Sequence, residues 1–103
     1  MLEKEVEKYL TKKVEELGGL AFKFVSPGRS GVPDRLVCSQ GKAFFVELKA
    51  PGSNPRMLQR VVAEQIRHTG LKVYCISDKA QVDDLIKVMQ TGILPQESRY
   101  DTI

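Results

Sequence analysis

Hydrophobic spacing along these 103 residues specifies one α/β domain in the order α-β-β-β-α-β-α, a mixed sheet of about four strands flanked by helices. Three features carry that reading. Apolar residues recur every three or four positions near the N-terminus and again in two later segments, which is helical spacing. Between these segments lie short runs rich in Val, Ile, Phe and Tyr, bounded by Gly, Pro or Ser, as strands are. Composition agrees: 42% hydrophobic and 28% charged residues suit a globular domain, not a disordered or fibrous chain.

Leu2, Val6, Tyr9, Leu10, Val14 and Leu17 mark one face of a first helix, and Gly18-Gly19 ends it as a C-cap. Leu20–Val25 alternates around Lys23 as a strand, and Ser26–Pro33 is a loop by its Gly and Pro content. "RLVCS" (35–39) and "KAFFVELK" (42–49) are two strands joined at Gln40-Gly41 in a hairpin. "APGSNP" (50–55) is a second loop. From Arg56 the spacing of Leu58, Val61, Val62 and Ile66 predicts a second helix ending near Gly70. "LKVYCIS" (71–77) has the β-branched and aromatic content of a fourth strand. Ser77 or Asp78 caps a third helix carrying Val82, Leu85, Ile86 and Met89, and Gly92 closes it. The path from the third strand through the second helix to the fourth is expected to be a right-handed crossover, which makes those two strands parallel. Residues 1–92 form the domain; 93–103 lack periodicity and read as a C-terminal tail.

No apolar run approaches the roughly 20 residues that cross a bilayer. The N-terminus is charged from its third residue, so it has no signal-peptide apolar region. An intracellular protein with no membrane partner is expected. Cys38 and Cys75 sit in strand-like segments and read as buried, reduced thiols. With His68 the lone histidine, a four-ligand zinc site has too few ligands, so any metal would be a hard, oxygen-bound cation. His68 itself reads as a surface residue. The net charge of +3 leans towards a polyanionic partner without establishing one.

The chemistry concentrates on three charged residues. Along the third strand Phe44, Val46 and Leu48 point one way, and Ala43, Phe45, Glu47 and Lys49 the other. Counting outward from the hairpin, Gly41 to Asp34 and Gln40 to Glu47 are each seven residues, so Asp34 stands opposite Glu47. An isolated E-x-K triplet is ordinarily a solvated ion pair of little value. Here Phe44, Phe45, Val46 and Leu48 point to a strand covered on both faces, where unpaired charge is costly. A divalent cation would offset that cost.

"GVPD" (31–34) followed by "FVELK" (45–49) resembles the PD-(D/E)xK nuclease signature, in the version of the VRR-NUC domain (virus-type replication-repair nuclease). "KFVSPGRSGVPDRLV", "FVELKAPG" and "NPRMLQ" are similar to successive blocks of its small stand-alone members, often phage-encoded, and the likeness runs from the first helix to the fourth strand. The resemblance implies a restriction-endonuclease-like core and a Mg²⁺-dependent DNA endonuclease, with Mn²⁺ able to substitute. Asp34 and Glu47 would be acidic metal ligands, and the main-chain carbonyl of Leu48 a third oxygen. Lys49 would hold the attacking water and stabilise transition-state charge, and Gln59 would orient the phosphate or Lys49. The family also places a glutamate on the first helix: Glu3 fits its spacing better, and Glu7, one turn on, stays open.

Lys23, Arg29, Arg35, Arg56 and Arg60 are the expected DNA-binding residues, with Arg29 and Arg56 foremost. Branched DNA such as a four-way (Holliday) junction, a homodimer and no nucleotide cofactor complete what the resemblance implies. The tail from Ile93 and the apolar part of the first helix are the candidate interface. The alternatives are a restriction-like or general DNA-degrading nuclease, and a non-catalytic DNA-binding module on the same fold.

Overall fold

Helix α1 (Glu3–Glu16) turns Val6, Leu10 and Val14 inward, as their spacing requires, and all three are fully buried. It stops in a Schellman arrangement, with Gly18 at φ +81 and the Gly19 amide donating to the Val14 carbonyl at 3.0 Å. The computed structural model describes residues 2–100. Strands β1 (Leu20–Lys23), β2 (Arg35–Ser39) and β3 (Lys42–Leu48) follow, then helix α2 (Met57–His68), strand β4 (Val73–Ile76) and helix α3 (Lys79–Met89). They form one four-stranded sheet in the order β1-β2-β3-β4, with β1-β2 and β2-β3 antiparallel and β3-β4 parallel. The mixed α/β architecture and the parallel β3-β4 pair are as the sequence predicts. β2 spans the expected run, whereas β1 and β4 are shorter than theirs. β1 ends at Lys23, although the Phe24 amide still bonds the Asp34 carbonyl at 2.9 Å.

The β2-β3 register pairs Ser39 with Lys42 and Arg35 with Val46. Gln40 and Gly41 both have positive φ, +54 and +76, the conformation of a two-residue hairpin turn matched to sheet twist. One further step along this ladder sets Asp34 across from Glu47. Val37, Phe44, Val46, Leu48, Tyr74 and Ile76 share the face covered by α1 and α3, and with Val82 and Leu85 they make the core. Aromatic rings meet edge to face through it, Phe44 on Tyr74 and Tyr74 on Tyr100.

The other face is thinly covered. Helix α2 buries only Val62 there, while Leu58 and Val61 on the helix and Leu20 and Phe22 on β1 stay exposed. The apolar stripe of α1, expected at a subunit interface, is consumed by the core instead, because α3 packs on it.

The segment after Gly92 is packed on the sheet edge. The Tyr74 hydroxyl donates to the Pro95 carbonyl at 2.8 Å, Glu97 in a short 3-10 turn (Glu97–Arg99) pairs with Arg67 and Lys72, and Tyr100 is buried. Positions 101–103 of the expected tail lie outside the described residues. Neither cysteine is in a disulfide, and no helix among the described residues is long and apolar enough to cross a membrane.

A Cβ on Gly19 would lie 2.8 Å from the Cys38 carbonyl oxygen and 2.9 Å from Val14 Cγ1, too close for either neighbour. Gly19→Ala is therefore expected to destabilise the fold by about 1–3 kcal/mol through overpacking, read as a lower urea midpoint at unchanged slope.

Candidate active site

Asp34 precedes β2 and Glu47 lies near the end of β3, so the hairpin register alone brings two carboxylates to one end of the sheet. The Asp34 main chain is fixed twice: its carbonyl accepts from the Phe24 amide at 2.9 Å and from Arg35 Nη1 at 2.7 Å. Its carboxylate reaches the Leu48 amide through a long contact of 3.4 Å. Leu48 thus puts its peptide at the site while its side chain is buried on the opposite face.

Glu47 is 7% exposed. Its Oε1 accepts from Gln59 Nε2 at 2.9 Å and lies 3.8 Å from Lys49 Nζ. Its Oε2 is buried with no hydrogen-bond partner. Burial first, then the charges of Asp34 and Glu3, push the Glu47 carboxyl up to about 7, against the opposing pull of Lys49 and Arg56. Asp34 is also raised, mainly by burial, although the Leu48 amide and Arg35 favour its charged form. Two desolvated carboxylates, with Asp34 raising the proton affinity of Glu47, leave a deficit of positive charge, and Lys49 alone does not fill it. An orphaned, buried carboxylate oxygen is what a hard cation would satisfy.

Gln59 stands in the first turn of α2 with its amide committed at both ends. The Oε1 accepts from the Arg56 amide at 2.8 Å, half of a capping box, and the Nε2 holds Glu47. Its place beside the carboxylates is as expected, but here its contact is with Glu47, not Lys49.

Glu3 and Glu7 divide. Glu7 pairs with Arg35, whose side chain is nearly buried, and that ion pair ties α1 to the start of β2. Glu3, exposed in the first turn of α1, acts through its charge on Glu47, while the charge of Glu7 acts on Asp34. Neither completes a cluster: among the described residues no three His, Cys, Asp or Glu side chains stand together as metal ligands. The remaining coordination would fall to main-chain oxygen, water and substrate.

The basic residues also divide. Lys23, Arg29, Arg56 and Arg60 are exposed, and Arg29 bonds Gln65 on α2. Arg35, expected to bind DNA, is corrected. It is 6% exposed and occupied by Glu7 and the Asp34 carbonyl, because it shares the buried face of β2 with Val37 and Ser39. That period-two pattern was the available signal. Sequence reasoning also missed Cys75, which the parallel register sets beside Glu47. His68 is exposed, as expected.

Comparison with known proteins fits this arrangement. No family model matches the chain. Over 58 residues the chain is 57% identical to a phage protein named "Putative nuclease p44", from Acyrthosiphon pisum secondary endosymbiont phage 1. That match takes in 55% of this chain and 62% of the relative, so the chain spans less than two thirds of its length. A solved structure described as "VRR_NUC domain" superposes with a TM-score of 0.77 at 39% identity, over 82% of this chain and 94% of that one.

Two measurements check the electrostatics. In metal-free protein Glu47, raised from an ordinary 4.5 to about 7, contributes stability that is full at low pH and lost as pH rises through about 7. Glu47→Gln should flatten that fall in urea midpoints between about pH 4.5 and 8. Glu7→Gln removes the carboxylate paired with the nearly buried Arg35 guanidinium and should lower stability by about 1–3 kcal/mol, checked by the same denaturation.

Proposed function

The chain belongs to the VRR-NUC domain family, and from that premise and the paired carboxylates we propose that it is a Mg²⁺-dependent DNA endonuclease acting on branched DNA such as four-way junctions. One observation carries the reading: Glu47 is buried beside Asp34 with an oxygen that no protein group satisfies. A site kept this way has a cost in stability, and a divalent cation offsets it.

Asp34 and Glu47 would hold the ion, with the Leu48 carbonyl and, through water or directly, Glu3 supplying further oxygens; Mn²⁺ suits the same donors. Bound there, the ion supplies Lewis acidity towards the phosphate and lowers the pKa of a water molecule. The chain's own groups do the rest. Lys49, with Nζ 3.8 Å from Glu47 Oε1, carries its charge to the edge of the carboxylate pair. From there it orients the attacking water and stabilises charge developing on the non-bridging phosphate oxygens. Gln59 keeps Glu47 in one rotamer, so the carboxylate need not be reorganised when substrate arrives. Lys23, Arg29, Arg56 and Arg60, around the loops at 26–33 and 50–55, neutralise DNA phosphates and set register without reading sequence.

A homodimer would offer two such sites, related by a two-fold axis, to the two symmetric strands of a four-way junction. Size-exclusion chromatography with light scattering reads that directly.

A synthetic four-way junction should be cut with Mg²⁺ or Mn²⁺ and left intact with a chelator. Asp34→Asn and Lys49→Ala should each lower the rate by at least about 10²-fold. Undiminished cutting by either purified variant sinks the mechanism. Equal rates on linear duplex would make the protein a general DNA-degrading nuclease instead. Isothermal titration with Mn²⁺ that shows no binding to the unmodified protein, alongside intact DNA binding, would leave a non-catalytic module.

A further inference from the structure

The thin cover on the α2 face leaves a cavity of about 400 Å³ between that helix, the β3-β4 floor and the loop at 53–55, and Glu47 and Gln59 stand in its wall. We propose that this cavity receives one nucleobase extruded next to the phosphate being cut, which favours DNA whose stacking is already interrupted. The inference rests on the nuclease reading above and specifies how that site selects its substrate.

The cavity's size falls among small-ligand sites, which run to about 300–1,000 Å³. Val73 and Cys75 on the strand side and Ala63 on the helix give it apolar surface, and Ser53 and Asn54 on the loop add neutral hydrogen-bonding groups. That mixture suits the flat face and polar edge of a base. It does not suit a second phosphate. Glu47 and Glu64 line the cavity with negative charge. Arg67 is taken up by the Val73 carbonyl, Glu64 and Glu97, and Arg60, the other cation in the lining, donates through Nε to the Pro55 carbonyl at the loop. Position completes the argument. A phosphate brought to the Asp34–Glu47 pair lies at the cavity's wall, and the nearest group the strand could insert is the base of an adjoining nucleotide.

Extracting a base from an intact duplex costs its pairing and stacking, and that cost is least where the base is already unpaired. At a branch point the bases stay paired but the stack is interrupted, so the cost falls below that in a continuous duplex. The cavity thus gives a preference for branched over continuous DNA without any contact that reads sequence.

Four-way junctions carrying 2-aminopurine at each branch-point nucleotide in turn provide the test, with the cut phosphate first mapped by the unmodified protein. Asp34→Asn bound to these junctions should brighten one nucleotide flanking the mapped phosphate, and should brighten no position in a linear duplex. Ser53→Phe, a change on the exposed loop that plugs the mouth, and Ala63→Leu, which fills the cavity from the helix side, should each abolish the brightening in that background. In otherwise unmodified protein each should slow junction cutting by about tenfold at an unchanged melting temperature. Ser53→Phe keeps the test valid should Ala63→Leu fold poorly. No brightening at any position, equal brightening in duplex, or full-rate cutting by a plugged and folded variant overturns the cavity proposal and leaves the nuclease reading standing. Failure of the unmodified protein to bind or cut junctions ends both.

Discussion

A two-residue turn governs the site. Gln40 and Gly41 both take positive φ, and that fixes the β2-β3 ladder from Ser39 opposite Lys42 outward. Side chains alternate along a strand, so a slip of one residue would turn Glu47 towards α1 and α3 and expose Val46 in its place. Every other property of the site follows from this register. It sets Asp34 across from Glu47, places the Leu48 amide within 3.4 Å of the Asp34 carboxylate, and aims Lys49 to the same side as Glu47. Core and site are therefore specified together: the pairing that buries Phe44, Val46 and Leu48 is the pairing that gathers the charges.

The electrostatics explain why such a small domain keeps charge in a covered strand. Glu47 has one oxygen well served by Gln59 and near Lys49, and one with nothing. A purely structural ion pair would satisfy both, because a buried polar atom without a partner costs on the order of 1–3 kcal/mol. Arg35 and Glu7 show what the same protein does with a structural pair: the guanidinium is buried, bonded to a carboxylate on α1 and to the Asp34 carbonyl. The two clusters adjoin, yet one is closed and the other open.

The elements legible in the sequence are those whose signal is local. The three-and-four spacing of Val6, Leu10 and Val14 gives α1, Asp78 caps α3 by accepting from the Gln81 amide at 2.7 Å, and the hairpin count brings Asp34 to Glu47. What escaped depends on distant partners. Arg35 looks like any surface arginine until α1 supplies Glu7. Residues 93–100 have no period of their own, because they are held at single points such as Pro95 by Tyr74 and Glu97 by Arg67 and Lys72. Gln59 could be placed near the site by its position in the second helix, but not its double commitment, which needs the helix start and Glu47 at once.

That commitment has an outcome for the free protein. One amide serves as both the N-terminal bracket of α2 and the support of a carboxylate whose proton affinity sits near neutrality. Anything that draws the helix off the sheet removes the Gln59 donor and admits water to Glu47. Burial is the main cause of its raised proton affinity, so the carboxyl moves back towards its ordinary range. The carboxyl carbon of residue 47 becomes a gauge of helix placement, and its titration followed by NMR would report strain applied more than one turn away.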